Sequence, residues 1–577
     1  MTFTSAVRER GRRSDYDGVM SATTPLSVTP QEEQVFPVLT SAQLARIATH
    51  GTRRTVERGE LLMEAGAQRY AAFVVLSGAL EAVRDSCSGE EVATTHRPGQ
   101  FSGELSLVSG RRSLATIRVL EAGEVIQLER DSVLAMLQTD AELSEIFMRA
   151  FILRRVKLID RGFGDVVVLG SQYSPRTLQV REFLSRNAHP HTYLDLDNDE
   201  VSQESLERWN VSADEIPVVI CRGEAVLRNP TNSQIADCIG FNEAIDVDES
   251  HIRDVVIVGA GPAGLGAAVY GASEGLDVLM IEANAPGGQA GSSMRIENYL
   301  GFPSGITGQE LATRAFSQAE KFGAQMIIAK GATRLSCDRR PYAIEIDNGT
   351  RVIARTVILA TGAEYRGLPI DNLSRFNGAG VYYLATPMEA QMCNDEDVLI
   401  VGGGNSAGQA AVFLADHARR VIMLVRSGGL SETMSRYLVR RVEDNPAIDV
   451  RTNCQLVGVE GETHLESVRC RDKTTGTETV ENIRHVFVMT GAAPATKWLD
   501  DCVALDDRGF IRTGPDLTPE DLNTARWPLK RQPHLLETSL PGVFAIGDVR
   551  GGNIKRVASA VGEGSIAIAF VHQVLRE

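Results

Sequence analysis

The chain has 577 residues, a formal net charge of −16 and 43% hydrophobic residues. That length exceeds one hydrophobic core and predicts several domains at about 100–200 residues each. The acidic balance opposes a phosphate backbone, so no nucleic-acid partner is expected, and the absence of an apolar run of about 18 residues predicts no membrane span.

Residues 1–35 mix Ser, Thr, Pro and charge without periodicity, which predicts a disordered lead-in. The basic run Arg8 to Arg13 leads into Ser, Asp and Tyr, so no signal peptide is read. The eight cysteines are Cys87, Cys221, Cys238, Cys337, Cys393, Cys454, Cys470 and Cys502. No two have the spacing of a redox pair or zinc knuckle, which predicts buried thiols in a reducing compartment, no metal site and a cytoplasmic protein.

Over 36–160, alternating runs such as Ala72-Phe73-Val74-Val75-Leu76 and Val125-Ile126-Gln127-Leu128 lie between glycines 59, 66, 78 and 99, which predicts a small antiparallel β module. A helical stretch follows, with Leu134, Leu137, Ile146, Phe147 and Phe151 at helical spacing. Through Arg58-Gly59-Glu60, Val75-Leu76-Ser77-Gly78 and the run Pro98 to Leu107, this stretch resembles cyclic nucleotide-binding domains.

The resemblance implies a β jelly roll in which a short helix offers backbone N–H groups to a cyclic phosphate. It places Gly103, Glu104, Leu105 and Ser106 in the ligand site, with Glu104 on a ribose hydroxyl. Aligned on Ala115-Thr116, Ser113 occupies the position of the phosphate-binding arginine and Arg112 falls one residue early; a one-residue slip in a strand turns a side chain to the other face. The reading stays open between a cyclic nucleotide, another small anion and a structural role.

Over 161–245, the strand Val166-Val167-Val168-Leu169 leads into a helix from about Pro175, with further strands at Thr192-Tyr193-Leu194 and Pro217-Val218-Val219-Ile220, an α/β pattern. Ser171-Gln172-Tyr173-Ser174-Pro175 sits where thioredoxin- and glutaredoxin-like domains carry Cys-x-x-Cys, and Glu215-Ile216-Pro217-Val218 resembles their cis-proline segment. Serine cannot replace cysteine in disulfide exchange, so the module is read as redox-silent, serving docking or dimer packing.

From Asp254 the pattern is that of doubly wound nucleotide-binding domains. The buried-strand run Val255 to Val258 precedes Gly259, Gly261 and Gly264, which serve a tight turn, backbone approach to a pyrophosphate and close helix packing; Glu282 ends the next strand, placed for a ribose diol. A second copy has Val398 to Val401 before Gly402, Gly404, Asn405, Ser406 and Ala407. Its next strand ends in Arg426, which favours NADPH because an arginine pairs with the 2′-phosphate; Arg436 is a second candidate.

With Pro286-Gly287-Gly288-Gln289, Glu297-Asn298-Tyr299, Ala360-Thr361-Gly362-Ala363, Gly491-Ala492-Ala493-Pro494 and Ala545-Ile546-Gly547-Asp548, residues 252–577 resemble the thioredoxin reductase family. The resemblance implies FAD and NADPH as cofactors, hydride transfer to the flavin N5, and a homodimer. It sets Gly288, Gln289, Asn298, Thr361 and Gly362 near FAD, Gly547 and Asp548 at the ribityl chain, and Arg556 and Val557 at the helix start facing the flavin ring. The family's Cys-Ala-Thr-Cys is replaced by Leu384-Ala385-Thr386-Pro387. No residue is therefore assigned as catalytic, and the acceptor is left open among ferredoxin, a quinone, oxygen and an external protein disulfide.

The expected architecture is multidomain: a jelly roll at 36–160, a thioredoxin/glutaredoxin-like module at 161–245, and two Rossmann-like three-layer domains. FAD would be bound by 252–372 and 490–577, with the NAD(P)H-binding domain at 373–489 inserted between. The function read is an FAD-dependent NAD(P)H oxidoreductase open to ligand regulation at its N-terminal module; the rival is a flavin redox sensor with little turnover.

Overall fold

The computed structural model describes residues 32–86, 89–160, 165–171, 174–197, 215–222, 225–245, 247–347, 349–365, 367–499 and 501–577. The lead-in over 1–31, Cys87 and the Gln172-Tyr173 pair lie outside the described residues.

Ordered structure begins earlier than the expected Phe36. Glu32–Val35 is helical, with Val35 fully buried, its carbonyl accepting from Arg154 Nε at 3.0 Å, and Glu32 paired with Lys157 at 2.7 Å. These contacts come from the distant helix Ala141–Asp160, so local composition carries no sign of them.

In the N-terminal module, the antiparallel strands Thr52–Val56, Thr116–Glu129, Ala71–Ser86 and Gly89–His96 are adjacent in that order, and Leu61–Met63 also pairs with Thr116–Glu129. The short helix Leu105–Ser109 is capped by the Glu104 carboxylate at one end and by left-handed Gly110 (φ 72°) at the other. Phe101 stacks on Phe147 at 3.9 Å between centroids and meets Phe151 edge-on, fastening Ala141–Asp160 over the barrel.

The middle module is a sheet in the order His191–Asp195, Val166–Gly170, Val218–Cys221, Ala225–Arg228; the first pair is parallel and the rest antiparallel. Helices Pro175–Arg186 and Asn232–Ile239 accompany it, and the Ile216–Pro217 peptide is cis.

The third sheet runs Gln325–Ile328, Val278–Glu282, Ile252–Val258, Arg351–Leu359, Tyr342–Ile346, Ala332–Ser336, and Val543–Ala545 returns to pair in parallel with Arg351–Leu359. Between the two visits lies a wholly parallel five-stranded sheet, in the order Val381–Tyr382, His485–Val488, Asp397–Val401, Arg420–Val425, Ile448–Thr452. Its interior runs Val398 to Val401 and Val421 to Val425 are buried on both faces, as continuous apolar runs require. The antiparallel ribbon Ala363–Tyr365 with Ala492–Pro494 joins the two sheets.

One helix among the described residues, Val557–Arg576, is long and apolar enough to cross a membrane by length and composition. It packs instead on helix Pro262–Ser273: a Cβ at Gly564 would lie 2.5 Å from the Ala263 carbonyl oxygen, and Ala567, Ile568 and Val571 are fully buried in that core.

The cysteine expectation is corrected. Cys337, just past strand Ala332–Ser336, is disulfide-bonded to Cys502. The partners are 165 residues apart in sequence, so spacing gave no sign of the bond. Strand Ala332–Ser336 runs in the same direction as Ile252–Val258, but its last residue, Ser336, is level through Ala343 and Ile353 with Ile252 at the start of that strand, several residues short of the Gly259 turn. The remaining described cysteines are free thiols.

Candidate functional site

The first fingerprint is built from backbone. Gly259 has φ 104°, and a Cβ there would lie 2.4 Å from the Ala360 carbonyl oxygen; a Cβ on Gly264 would lie 2.0 Å from the Gly259 carbonyl oxygen. Gly261, by contrast, faces only Gly288 Cα at 3.9 Å, leaving an open slot at the N-terminus of helix Pro262–Ser273 where an anion meets the helix dipole. Ala360 and Gly288 come from other elements, so three segments shape one cradle.

Glu282 is held beside that slot by three backbone donors. Ala260 N–H reaches Oε2 at 2.8 Å, and Asn284 and Ala285 N–H reach Oε1 at 3.0 and 3.2 Å. Burial pushes its carboxyl up while these donors oppose the shift. Gln289 hydrogen-bonds the Ala363 carbonyl and Thr361 Oγ1 that of Ala495 at 2.9 Å, so both join the loop pair around the same opening. Gly362 (φ 67°) has open space before it, and Asn298 is exposed on a loop across the cleft.

Gly547 (φ 70°) lies against Ala263, and Asp548 is half-buried beside it; burial pushes the Asp548 carboxyl up, with Lys555 opposing. Arg556 caps helix Val557–Arg576 in extended conformation and stays exposed. One support was not read from sequence: Glu563 accepts from Gly547 N–H at 2.7 Å, from Arg550 at 2.6 Å and from Asn553 at 2.8 Å, pinning the Gly547-Asp548 turn. Its position one helix away explains why spacing did not reveal it.

At the second fingerprint, Gly402 (φ 152°) packs on the Met489 carbonyl, Gly404 faces open space at the start of helix Asn405–Leu414, and Ala407 is buried behind it. Asn405 Oδ1 accepts from Ser435 N–H at 2.7 Å, which brings the neighbouring Arg436 to the same edge as Arg426. Both arginines are exposed, and Gly428 and Gly429 leave the space beside Arg426 open.

Between the fingerprints lies a cleft of about 240 Å³ lined by Gln289, Ser293, Leu384, Ala385, Ser406 and Gln409 among others. Leu384 and Ala385 thus face both nucleotide modules, and no cysteine lines the cleft among the described residues. Cys393 is fully buried in the core of the inserted domain, and burial raises its thiol, so it does not replace the missing pair. Arg441 spans the cleft to Glu297, at 2.9 and 3.0 Å to the two carboxylate oxygens.

In the N-terminal module, Glu104 and Ser113 line a second cavity, but Arg112 does not. The expectation that Arg112 binds a ligand is corrected: its guanidinium forms a two-pronged ion pair with Glu243, the Nε contact at 2.6 Å, and so faces the middle module. Ser113 Oγ is spent locally on the Ala115 carbonyl at 2.7 Å. Gly103 borders the cavity in left-handed conformation (φ 105°), while Leu105 and Ser106 form the buried first turn of the short helix.

The partner of Glu104 is Arg155, from the helix that closes the barrel. Arg155 gives Nε and Nη2 to Glu104 Oε2 at 3.0 and 2.5 Å, Nη2 to Ser106 Oγ at 2.6 Å and Nη1 to the Ala188 carbonyl at 3.2 Å. The same turn of the middle module reaches the first fingerprint: Asn187 Nδ2 donates to the Asn284 carbonyl at 3.3 Å and Arg186 Nη2 to the Gly288 carbonyl at 2.8 Å. A continuous polar chain therefore links the N-terminal cavity to the Gly288 loop and to the residues that hold Glu282. Arg111 joins the junction, lying over Phe241 at 4.2 Å and near Glu320.

Comparison with known proteins finds relatives for two parts of the chain. A family model for pyridine nucleotide-disulphide oxidoreductases matches residues 253–564, and one for the cyclic nucleotide-binding domain matches 53–140. Thioredoxin reductase of Bacillus subtilis is 32% identical over 332 residues, covering 57% of this chain and 97% of that one. Its counterpart in Treponema pallidum is 35% identical over 315 residues, covering 54% and 94%. Among solved structures, the thioredoxin reductases of Lactococcus lactis (FR conformation) and T. acidophilum each give a TM-score of 0.50 over 56% of this chain, at 27% and 29% identity, covering 100% and 99% of those chains.

Proposed function

The chain belongs to the pyridine nucleotide-disulphide oxidoreductase family, as an FAD-dependent, thioredoxin-reductase-like enzyme that uses NADPH, and from that premise we propose that FAD passes the electrons of NADPH to an external acceptor without an enzyme disulfide beside the flavin. The observation that carries this reading is Leu384-Ala385 in the cleft between the fingerprints, where disulfide exchange would need two sulfurs in reach.

The residues supply binding and orientation. Gly259, Gly261 and Gly264 leave room for the FAD pyrophosphate at a helix N-terminus, Glu282 takes the ribose diol, and Asp548, held by the Glu563-braced turn, takes the ribityl chain. Gly402 and Gly404 do the same for NADPH, with Arg426 and Arg436 on its 2′-phosphate. Gln289, Gly288, Arg556 and Val557 would hold the flavin ring, and the cleft lined by Leu384 and Gln289 lies between the two cofactor modules.

The middle module is thioredoxin/glutaredoxin-like and redox-silent; its strand order supports the fold reading, and Ser174 capping helix Pro175–Arg186 supports the silence. A second reading, a ligand-gated flavin sensor with little turnover, draws on the polar chain from Glu104 through Arg155 and the Arg186 turn to Gly288. In both readings the N-terminal module regulates the flavin site.

NADPH oxidation measured with ferredoxin, a quinone, oxygen and an oxidised protein disulfide, each supplied separately, identifies the outlet. Fast turnover with one acceptor after thiol alkylation supports the enzyme reading. Uniformly slow turnover, with flavin bleaching intact, supports the sensor.

A further inference from the structure

The cavity in the N-terminal module has a volume of about 150 Å³. Roughly that volume holds one benzene ring, and nucleotide-sized ligands need roughly twice as much or more. Buried polar atoms of residues that line it lack a hydrogen-bond partner among the described residues, namely His96 Nδ1, Glu104 Oε1 and one terminal nitrogen of Arg154, and the Tyr70 hydroxyl is buried next to Ser106. Buried polar groups are nearly always paired, so their meeting on one cavity points to a ligand.

Arg154 defines the charge of the ligand. Its side chain is nearly buried, lies over Phe101 at 4.6 Å and Phe36 at 5.1 Å, and spends Nε and Nη1 on the carbonyls of Val35 and Gly103. No carboxylate hydrogen-bonds to it among the described residues; Glu104 gives Oε2 to Arg155 instead, and Lys157 pairs with Glu32. Two buried guanidiniums, Arg154 and Arg155, thus face the single carboxylate of Glu104, and that excess positive charge calls for an anion. His96, pushed down to about 3 by burial and by Arg154, stays neutral and does not add to the positive charge.

The remaining groups define its shape. Glu104 Oε1 accepts only, so the ligand also carries a donor, and Tyr70 Oη beside it serves a hydroxyl. Met63, Ile117 and Leu158 supply an apolar wall. The family's phosphate arginine is absent from this wall, since Ser113 stands in its place, bonded to the Ala115 carbonyl, and Arg112 pairs with Glu243.

We propose that the N-terminal cavity binds a small hydroxylated organic monocarboxylate, its carboxylate on Arg154 and its hydroxyl between Glu104 and Tyr70, and not a cyclic nucleotide. The inference rests on the reading of this module as the regulatory one. Direct titration calorimetry on the full-length FAD-loaded protein tests it, with 4-hydroxybenzoate and mandelate as probes and 4-hydroxybenzamide and cyclic AMP as controls.

Expected are saturable binding of at least one acid, at least tenfold weaker binding in Arg154→Gln, and loss of binding in Leu158→Trp, which fills the cavity without touching a charge. Neither control competes. Absence of saturable binding by both acids, tighter binding of cyclic AMP, or an unchanged Kd in Arg154→Gln overturns the proposal. Where Arg154→Gln does not fold, Leu158→Trp decides: retained binding overturns it. Flavin reduction by NADPH is then timed with and without the bound acid; binding with no change in rate contradicts the regulatory reading while leaving the site in place.

Discussion

Arg186 donates to the carbonyl oxygen of Gly288 at 2.8 Å, and Gly288 is the residue that faces Gly261 across the first fingerprint. The middle module therefore holds one wall of the dinucleotide slot. A charged donor on a carbonyl contributes on the order of 1–3 kcal/mol, of which a neighbouring site feels a part. Arg186→Met is expected to weaken FAD retention roughly three- to tenfold, a change of about 1 kcal/mol, measured by fluorescence titration of the apoprotein with FAD.

Gly264 leaves no room for any side chain. Its Cβ would sit 2.0 Å from the Gly259 carbonyl oxygen, and backbone cannot move aside as a side-chain tip does. Gly264→Val is expected to yield folded N-terminal and middle modules but protein without flavin absorbance. Wild-type flavin content in this variant would contradict the placement of FAD.

Arg426 stands exposed beside the open Gly428-Gly429 segment. A charge-assisted contact to a 2′-phosphate is worth roughly 1.5–3 kcal/mol, so Arg426→Glu is expected to raise the KM for NADPH by about tenfold to a hundredfold and to leave NADH less affected. The ratio of kcat/KM for the two nucleotides reports the result. Equal losses with both nucleotides would place Arg426 outside the phosphate contact.

Glu320 lies buried at the junction of the three packed regions, and burial pushes its carboxyl up to about 7 against the pull of Arg111, Arg130 and Arg155. A carboxyl whose folded-state value is raised holds its proton in the native state, so its contribution to stability is present below about pH 4.5 and is lost as pH rises through 7. The loss is on the order of 3 kcal/mol. Glu320→Gln is expected to flatten the stability profile between pH 5 and 8 and to be the more stable form at pH 8, in urea melts at stepped pH.

The catalytic half was legible because its signals are local: glycine spacing, an apolar strand before it and an acid or arginine at the end of the next strand all lie within short windows. The helix read from about Pro175 begins there in the structure, where Ser174 caps it. Long-range partners had no such signal. Arg155 meets Glu104 because helix Ala141–Asp160 folds back over the N-terminal sheet. Arg112 turns outward because Glu243, far along the chain, awaits it. The same holds for Glu563 beneath Gly547 and for the Cys337–Cys502 bond. Each depends on how modules pack, which no short window of sequence encodes.

The absence of an enzyme disulfide at the flavin is tested most directly by counting electrons. In an anaerobic titration of the FAD-loaded protein with NADPH, the flavin is expected to bleach completely at one equivalent of NADPH per FAD, with no lag and no further uptake. Uptake of a second equivalent before the flavin is fully reduced would reveal a disulfide in contact with it and contradict the account, as would a flavin that NADPH leaves oxidised.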